Sequence, residues 1–365
     1  MFMRETVCGE KMIYYEDKKY HFFELFNEKS GTLIRSNVFG TDLEATMRSF
    51  PELIDIGIMG SCEAAKYGIC KAAGVDCYQN AISSSRKNMA LDDYICILEQ
   101  SRDKVFQVAL GGAGDPNKHE NFKEILAITR AHNIVPNLTT SGYNITDDEI
   151  NSIKKYCGAA AVSFYSRLID GGKESNQITI EAINRFVAAG CETNIHCVVS
   201  DDNIDEITYR LERDLWPNSI NAIIFILYKP VGLGVDKKKV KRDQRLLRFL
   251  SMAVRRKHPY RVGFDTCFTS ALVKCCDVIN ISSIDACEAA KFSMYIDSEM
   301  NAYPCSFDNQ AGKYKESLRN KSITDVWNGE VFEAFRNVKK EKCLDCKFYK
   351  ECDRGCKLQL GIDLC

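Results

Sequence analysis

The sequence has no uninterrupted apolar run approaching the roughly 18 residues that cross a bilayer, which excludes a transmembrane helix as an organising element. Its first residues, Met-Phe-Met-Arg-Glu-Thr-Val-Cys, lack the apolar stretch of a secretory signal. A charge excess is lacking too: 49 basic residues against 50 acidic ones leave a net charge of −1, so neither nucleic acid nor a membrane surface is expected as a partner. The one basic run, Lys237-Lys-Lys-Val-Lys-Arg242, would attract an acidic partner or mark a solvated helix start. Eighteen cysteines in 365 residues is high, yet below the density of disulfide scaffolds. With no secretory signal, a reducing cytoplasm and metal ligation are the expected setting and use.

The length allows one large α/β unit with a smaller appendage. Six strand-like runs recur, Leu53–Met59, Val105–Leu110, Ile134–Thr139, Ala159–Phe164, Asn194–Val199 and Ala222–Leu227, separated by amphipathic stretches. In one of these stretches Ile183, Phe186, Val187 and Gly190 share a face. In another, Thr146 and Glu149 form a capping box. Consecutive βα units imply a parallel sheet, here a partial (β/α)6 TIM-like barrel over residues 51–264, with chemistry at the C-terminal strand ends. Residues 1–50 read as an N-terminal β-hairpin, Tyr20–Phe26 and Thr32–Phe39, too short for a recognition domain. Residues 265–365 lose the strand and helix rhythm and fill with cysteine, so metal rather than a large apolar core is expected to organise them.

Three cysteines, Cys62, Cys70 and Cys77, follow the first strand-like run, with seven and then six residues between them. Three thiolates on a four-iron cluster leave one iron open to a ligand. After the second run comes Gly111-Gly-Ala-Gly-Asp-Pro116, a loop whose bare backbone can meet a ligand while Asp115 offers a carboxylate. Near the C-terminus, Cys343, Cys346, Cys352 and Cys356 are spaced by two, five and three residues, and Cys365 is the last residue. Four thiolates so close suit an iron–sulfur cluster or zinc. Cys96, Cys157, Cys191 and Cys197 fall on helix or strand faces and read as core.

Together these features resemble the radical S-adenosylmethionine enzymes that carry a SPASM domain, over about residues 50 to 365. The chain departs from the family in its longer cysteine loop, in Met300 where a glycine precedes the second tail cysteine, and in Ala113 and Asp115 within the glycine loop. The resemblance implies three [4Fe-4S] clusters. Cys62, Cys70 and Cys77 would hold the one that binds S-adenosylmethionine, and Cys343, Cys346, Cys352 and Cys365 an outer auxiliary cluster. Cys287, Cys305 and Cys356 would hold an inner one, with Cys267 as fourth ligand, or Cys275 or Cys276, or an open site. Gly112, Gly114 and Asp115 would line the amino end of S-adenosylmethionine, Ser163 its ribose, and the Tyr228 backbone its adenine. Asn194 shares a strand face with His196, which reads equally as a core histidine, and both are placed near the cofactor. Thr140-Ser-Gly142 is a softer match to another family turn.

The implied activity is reductive cleavage of S-adenosylmethionine to a 5′-deoxyadenosyl radical that modifies a peptide or protein side chain, such as by thioether or other crosslinking. The implied partners are the peptide and a flavodoxin- or ferredoxin-like electron donor. One alternative is oxidation of a sulfatase Ser or Cys, although Ser306 rather than an aspartate follows Cys305 and the nearest acid is Asp308. The other is a non-enzymatic zinc-binding scaffold, against which stands the single two-residue cysteine gap.

Overall fold

The computed structural model describes residues 2–7, 9–37, 46–169, 172–353, 355–359 and 361–365. Four antiparallel strands open the chain: β1 (Phe2–Val7), β2 (Glu10–Asp17), β3 (Phe22–Asn27) and β4 (Leu33–Asn37), paired in that order. The expected hairpin is β3 and β4; two further strands precede it, and Val38 and Phe39 lie outside the described residues. The alternation missed in β1 and β2 is weak because much of their surface stays exposed, with Ile13 and Asp17 the buried residues of β2.

A ten-stranded sheet forms the body. Its strands are β5 (Leu53–Met59), β6 (Gln107–Gly112), β7 (Val135–Thr140), β8 (Ala160–Ser163), β11 (Thr193–Val199), β12 (Ala222–Leu227), β13 (Arg261–Phe264), β14 (Ser293–Ile296), β15 (Asn301–Tyr303) and β16 (Glu316–Ser317). The two-residue strands β9 (Leu168–Ile169) and β10 (Lys173–Glu174) pair apart from it. All six expected runs are present and parallel, in the order β12-β11-β8-β7-β6-β5. β13 adds a seventh parallel strand beside β12, and β14 an eighth beside β5. Helices cover one face, against which Ile54, Ile56 and Ile58 of β5 are fully buried. The capping box is made, Thr146 Oγ1 accepting from Glu149 N at 3.2 Å and Glu149 Oε2 from Thr146 N at 2.7 Å. Gly190 is not on the packed face with Ile183 and Phe186. The helix ends at Ala188, and Gly190 takes the left-handed turn beyond it at φ +75°, a conformation glycine adopts without strain.

The tail departs most from expectation. Strands β14 to β16 extend the main sheet, and Met294, Ile296, Trp327, Phe332 and Phe335 belong to the same apolar core as the barrel helices. This segment's apolar residues are spread among short strands and helices, so no single period shows them, and burial against β5 is a long-range event. The N-terminal sheet has its own small core, where Ile13 and Phe26 meet Phe106 and Val135 at the starts of β6 and β7. Phe26 stacks on Phe106 with ring centres 5.2 Å apart. That sheet therefore covers the end of the barrel opposite the strand C-termini.

Candidate iron–sulfur and cofactor site

The cysteine loop folds back twice. Cys62 caps the short helix Glu63–Lys66, its Sγ accepting from Ala65 N at 3.3 Å. The chain reverses at Gly68, φ +65°, into Ile69–Ala72, which carries Cys70, and again at Gly74, φ +75°. Cys77 Sγ then accepts from Ala81 N at 3.4 Å. The two glycines supply the turns that fold this long loop back on itself. Burial, with smaller contributions from the neighbouring Asp115, Cys70 and Cys77, pushes the Cys62 thiol up to about 11. Cys70 is raised by burial and by Cys77. The three sulfurs are thus electrostatic neighbours, and a bound cation would take the place of the thiol protons.

Glycines let neighbouring loops press onto this one. A Cβ on Gly114 would come within 2.3 Å of Ser61 O and 3.0 Å of Cys62 Cα. A Cβ on Gly112, φ +118°, would meet Met59 O at 2.5 Å. From the far side of the barrel, Gly232 lies against Tyr78 O and Cys77 O, and Leu233 N donates to Cys77 O at 3.0 Å. These glycines are needed first for the chain's own close approach. Asp115 reaches the cysteines, but its Oδ1 accepts from Ser141 N at 2.7 Å and its Oδ2 from Ser141 Oγ. Ser141 thus acts by orienting Asp115, and burial raises the Asp115 pKa.

Ser163 ends β8 with His196 as its register partner on β11. Burial holds His196 down at about 4, so the ring is neutral, with Nδ1 3.4 Å from Thr139 Oγ1. Asn194 is not with them at the exit end. It is the second residue of β11, five residues or roughly 16 Å from the strand's end, and its Oδ1 accepts from Asn221 Nδ2 at 2.8 Å. The Tyr228 N–H is taken by Val199 O at 2.9 Å. Tyr165 was not singled out from sequence, yet it neighbours Cys70, Cys77, Asp115 and Ser163, and burial raises its pKa. Its signal was position alone, two residues past a strand end.

The tail cysteines fall into two groups. Cys343, Cys346, Cys352 and Cys365 line one small cavity with Ser270, Val273 and Asp363. Cys352 is pushed up to about 11 by burial, with Cys365 and Cys343 among its neighbours. Cys267, Cys287, Cys305 and Cys356 form the second group. Cys267 donates a hydrogen bond to Cys356, which raises the one thiol and lowers the other, while Cys305 neighbours both Cys287 and Cys356. Cys276 neighbours Cys275, Arg255 and Asp277 instead. The buried Lys229 ammonium ties the second group together, 2.7 Å from Asp265 and close to Cys267 and Cys305. Cys96 is exposed on its helix rather than packed in the core. The basic run is largely neutralised: Lys238 pairs with Asp76 at 2.9 Å and Lys239 with Asp236 at 2.9 Å.

Among the described residues, no three His, Cys, Asp or Glu side chains converge on a single ion position. Zinc would need four thiolates within about 2.3 Å of one ion, whereas the ligands of an iron–sulfur cluster are spread around its cube.

Comparison with known proteins agrees. Residues 287–347 match the SPASM family, an iron–sulfur cluster-binding domain. No curated protein matches the sequence significantly. The fold is similar to Streptococcus suis SuiB, with a TM-score of 0.70 and 18% identity over 94% of each chain. SuiB bound to precursor peptide SuiA gives 0.71 and 16%, over 98% of this chain and 95% of that one. For anSMEcpe with bound AdoMet and the Cp18Cys peptide the values are 0.56 and 16%, over 84% and 89%. Residues 287–347 are thus similar to an iron–sulfur cluster-binding domain, and the chain shares the fold of SuiB and anSMEcpe.

Proposed function

We propose that this protein is a radical S-adenosylmethionine enzyme that modifies a side chain of a peptide or protein, for example by forming a thioether or other crosslink. The observation that carries the reading is the gathering of Cys62, Cys70 and Cys77 at the C-terminal end of β5, against the Gly112 to Asp115 loop. In this reading those three cysteines hold a [4Fe-4S] cluster with one open iron, and the two tail groups hold two more. The first cluster, when bound, supplies an electron for cleaving S-adenosylmethionine, the source of the radical that abstracts hydrogen. The chain's own part is positional. Gly112 and Gly114 bring the second loop against the cysteines, and Ser141 aims Asp115 at the same space for the amino group of S-adenosylmethionine. Ser163, Tyr165 and the segment after Tyr228 close the sides and exclude water.

A peptide substrate is supported by the structures of SuiB and anSMEcpe, which are described with bound peptides. Sulfatase-type oxidation has less support. Asp308 is the acid nearest Cys305 in sequence, and its carboxylate accepts from Lys313 N and Tyr314 N within its own turn. Anaerobic reconstitution with iron and sulfide, then reduction with S-adenosylmethionine, tests the reading. The parent should release 5′-deoxyadenosine, and a Cys62, Cys70 and Cys77 triple alanine variant should not. A colourless protein that binds zinc and releases none would sink it.

A further inference from the structure

The face of the sheet turned away from the helices, the lumen side, carries partly accessible residues. Along β5 to β7, buried residues alternate with partly accessible ones on this face, among them Asp55, Gln107, Ala109, Asn137 and Thr139. Gly57, Ala109 and Gly111 occupy positions where a filled barrel carries bulky side chains. Most polar groups here pair with one another: Asn137 Nδ2 donates to Gln107 Oε1 at 2.8 Å, Thr139 meets His196, and Asn221 donates to Asn194.

Asp55 is the exception. Among the described residues its carboxylate has no hydrogen bond and no ion pair, and it is partly accessible from the lumen. The charge that acts on it has the wrong sign: burial, and after it the tail's Glu288, lift it to about 7. The cations around the site are already engaged, Arg35 lying 2.6 Å from Glu288 and 2.9 Å from Asp285 and also holding Glu52, and Arg86, an electrostatic neighbour of Tyr295, lying 3.7 Å from Asp297. Across the strand pair, Asp55 faces Tyr295 of β14. The Tyr295 hydroxyl sits over Gly57, where a Cβ would come within 2.3 Å of it. Tyr78, which follows Cys77, is in electrostatic reach of both Asp55 and Tyr295. From β6 the register partner is Ala109, which brings no charge.

A carboxyl group withdrawn from water without a partner costs free energy unless a ligand brings that partner. We propose that Asp55, flanked by Tyr78 and Tyr295, receives a cationic side chain of the peptide substrate, an ammonium or guanidinium, an inference that rests on the peptide-modifying reading above. Aromatic walls favour a cation as well. Asp55 is four residues, roughly 13 Å, below the end of β5, farther than one side chain spans, so the peptide backbone must enter the barrel mouth and a long side chain covers the rest. Lysine or arginine fits this better than a terminal amine.

The test uses the reconstituted full-length protein with S-adenosylmethionine and three capped peptides, acetyl-Gly-Gly-Xaa-Gly-Gly-amide with lysine, norleucine or glutamate at the centre. Binding is followed by isothermal titration calorimetry at pH 8, where Asp55 is ionised. The lysine peptide should bind about 10-fold tighter than its norleucine counterpart, and Asp55→Asn should reduce that ratio to about twofold or less. The glutamate peptide should bind weakest to the parent and gain in the variant. Asp55→Ser replaces Asp55→Asn if the amide variant does not fold. Equal affinity of the parent for lysine and norleucine, or a lysine preference that survives both substitutions, overturns the proposal. Release of 5′-deoxyadenosine, measured on the same preparation, separates the two failures. No release refutes the radical reading, whereas release without a lysine preference refutes only the role of Asp55.

Discussion

The Tyr228 hydroxyl donates to Asp76 Oδ2 at 2.8 Å and accepts from Val235 N at 2.7 Å, joining the loop after β12 to the residue before Cys77. One phenol thus holds the last cysteine of the loop from across the barrel. Tyr228→Phe leaves the Val235 N–H without its acceptor, while Asp76 keeps its ion pair with Lys238, at a cost of about 1–2 kcal/mol. The expected result is a lower melting temperature with slower uncoupled 5′-deoxyadenosine release. Unchanged release would show that Cys77 is placed without it.

Gly114→Ala asks whether the two loops must touch. Its Cβ would stand 2.3 Å from a backbone oxygen, which cannot swing aside as a flexible side chain can. The substitution should displace Ser61 and Cys62 and lower S-adenosylmethionine cleavage about 10-fold or more, for a misplacement near 1 Å. Gly111→Ala is the control, since nothing lies within 4 Å of its Cβ. Equal losses in both variants would argue against the contact.

Two lumen groups should give opposite pH dependences of stability. His196, held at about 4, titrates below its unfolded value near 6.5, so its contribution is complete above pH 6.5 and is lost as pH falls toward 4. Asp55, raised to about 7, works the other way, and the fold gains from it as pH falls from 7 toward 4. His196→Gln should therefore reduce the acid sensitivity of urea unfolding by about 1–3 kcal/mol, partial access of water to the lumen keeping the figure low. Asp55→Asn should stabilise most above pH 7 and hardly at all near pH 4. Parallel curves for parent and variants would contradict both assignments.

Removal of iron should act unevenly on the tail. Trp327 is fully buried and donates its indole N–H to Arg48 O at 2.9 Å, so residues around it are held by the main core. The described residues of 341–365 form short turns and helical segments around the Cys343, Cys346, Cys352 and Cys365 cavity. Chelation should speed hydrogen exchange in 341–365 while 293–336 stays protected. Trp327→Ala, by contrast, should cost about 3–5 kcal/mol with iron bound or absent. Uniform loss of protection on chelation would restore metal as the organiser of the whole tail.

A basic surface lies beside the outer cysteines, of the charge that would attract an acidic electron donor. Arg242, Lys274, Lys342 and Lys347 line a cavity of about 540 Å3 beside Cys346. Lys274→Glu with Lys347→Glu should raise the KM for a reduced flavodoxin several-fold at low salt, and less at high salt, where such steering is screened. Dithionite-driven turnover should be spared. An equal effect on both reductants would point to damage rather than docking.

Six parallel strands, the Cys62 to Cys77 loop and the Cys343 to Cys356 string could be read in advance because they are written locally, whereas the division of the tail cysteines into two groups came only from the family resemblance. Each strand is a short apolar run between breakers, and those cysteines lie close together in sequence. The sequence alone thus determined the barrel, the position of the Cys62 to Cys77 loop after its first strand, and the chemistry its thiols suit. Tertiary structure decided what depends on contacts between distant segments: that Cys267 rather than Cys276 meets Cys356, that Asn194 bonds to Asn221 away from the exit end, and that β14 docks on β5. It also decided that Asp55 has no partner among the described residues. Pairing, register and desolvation arise only when the chain closes on itself, and no local period encodes them.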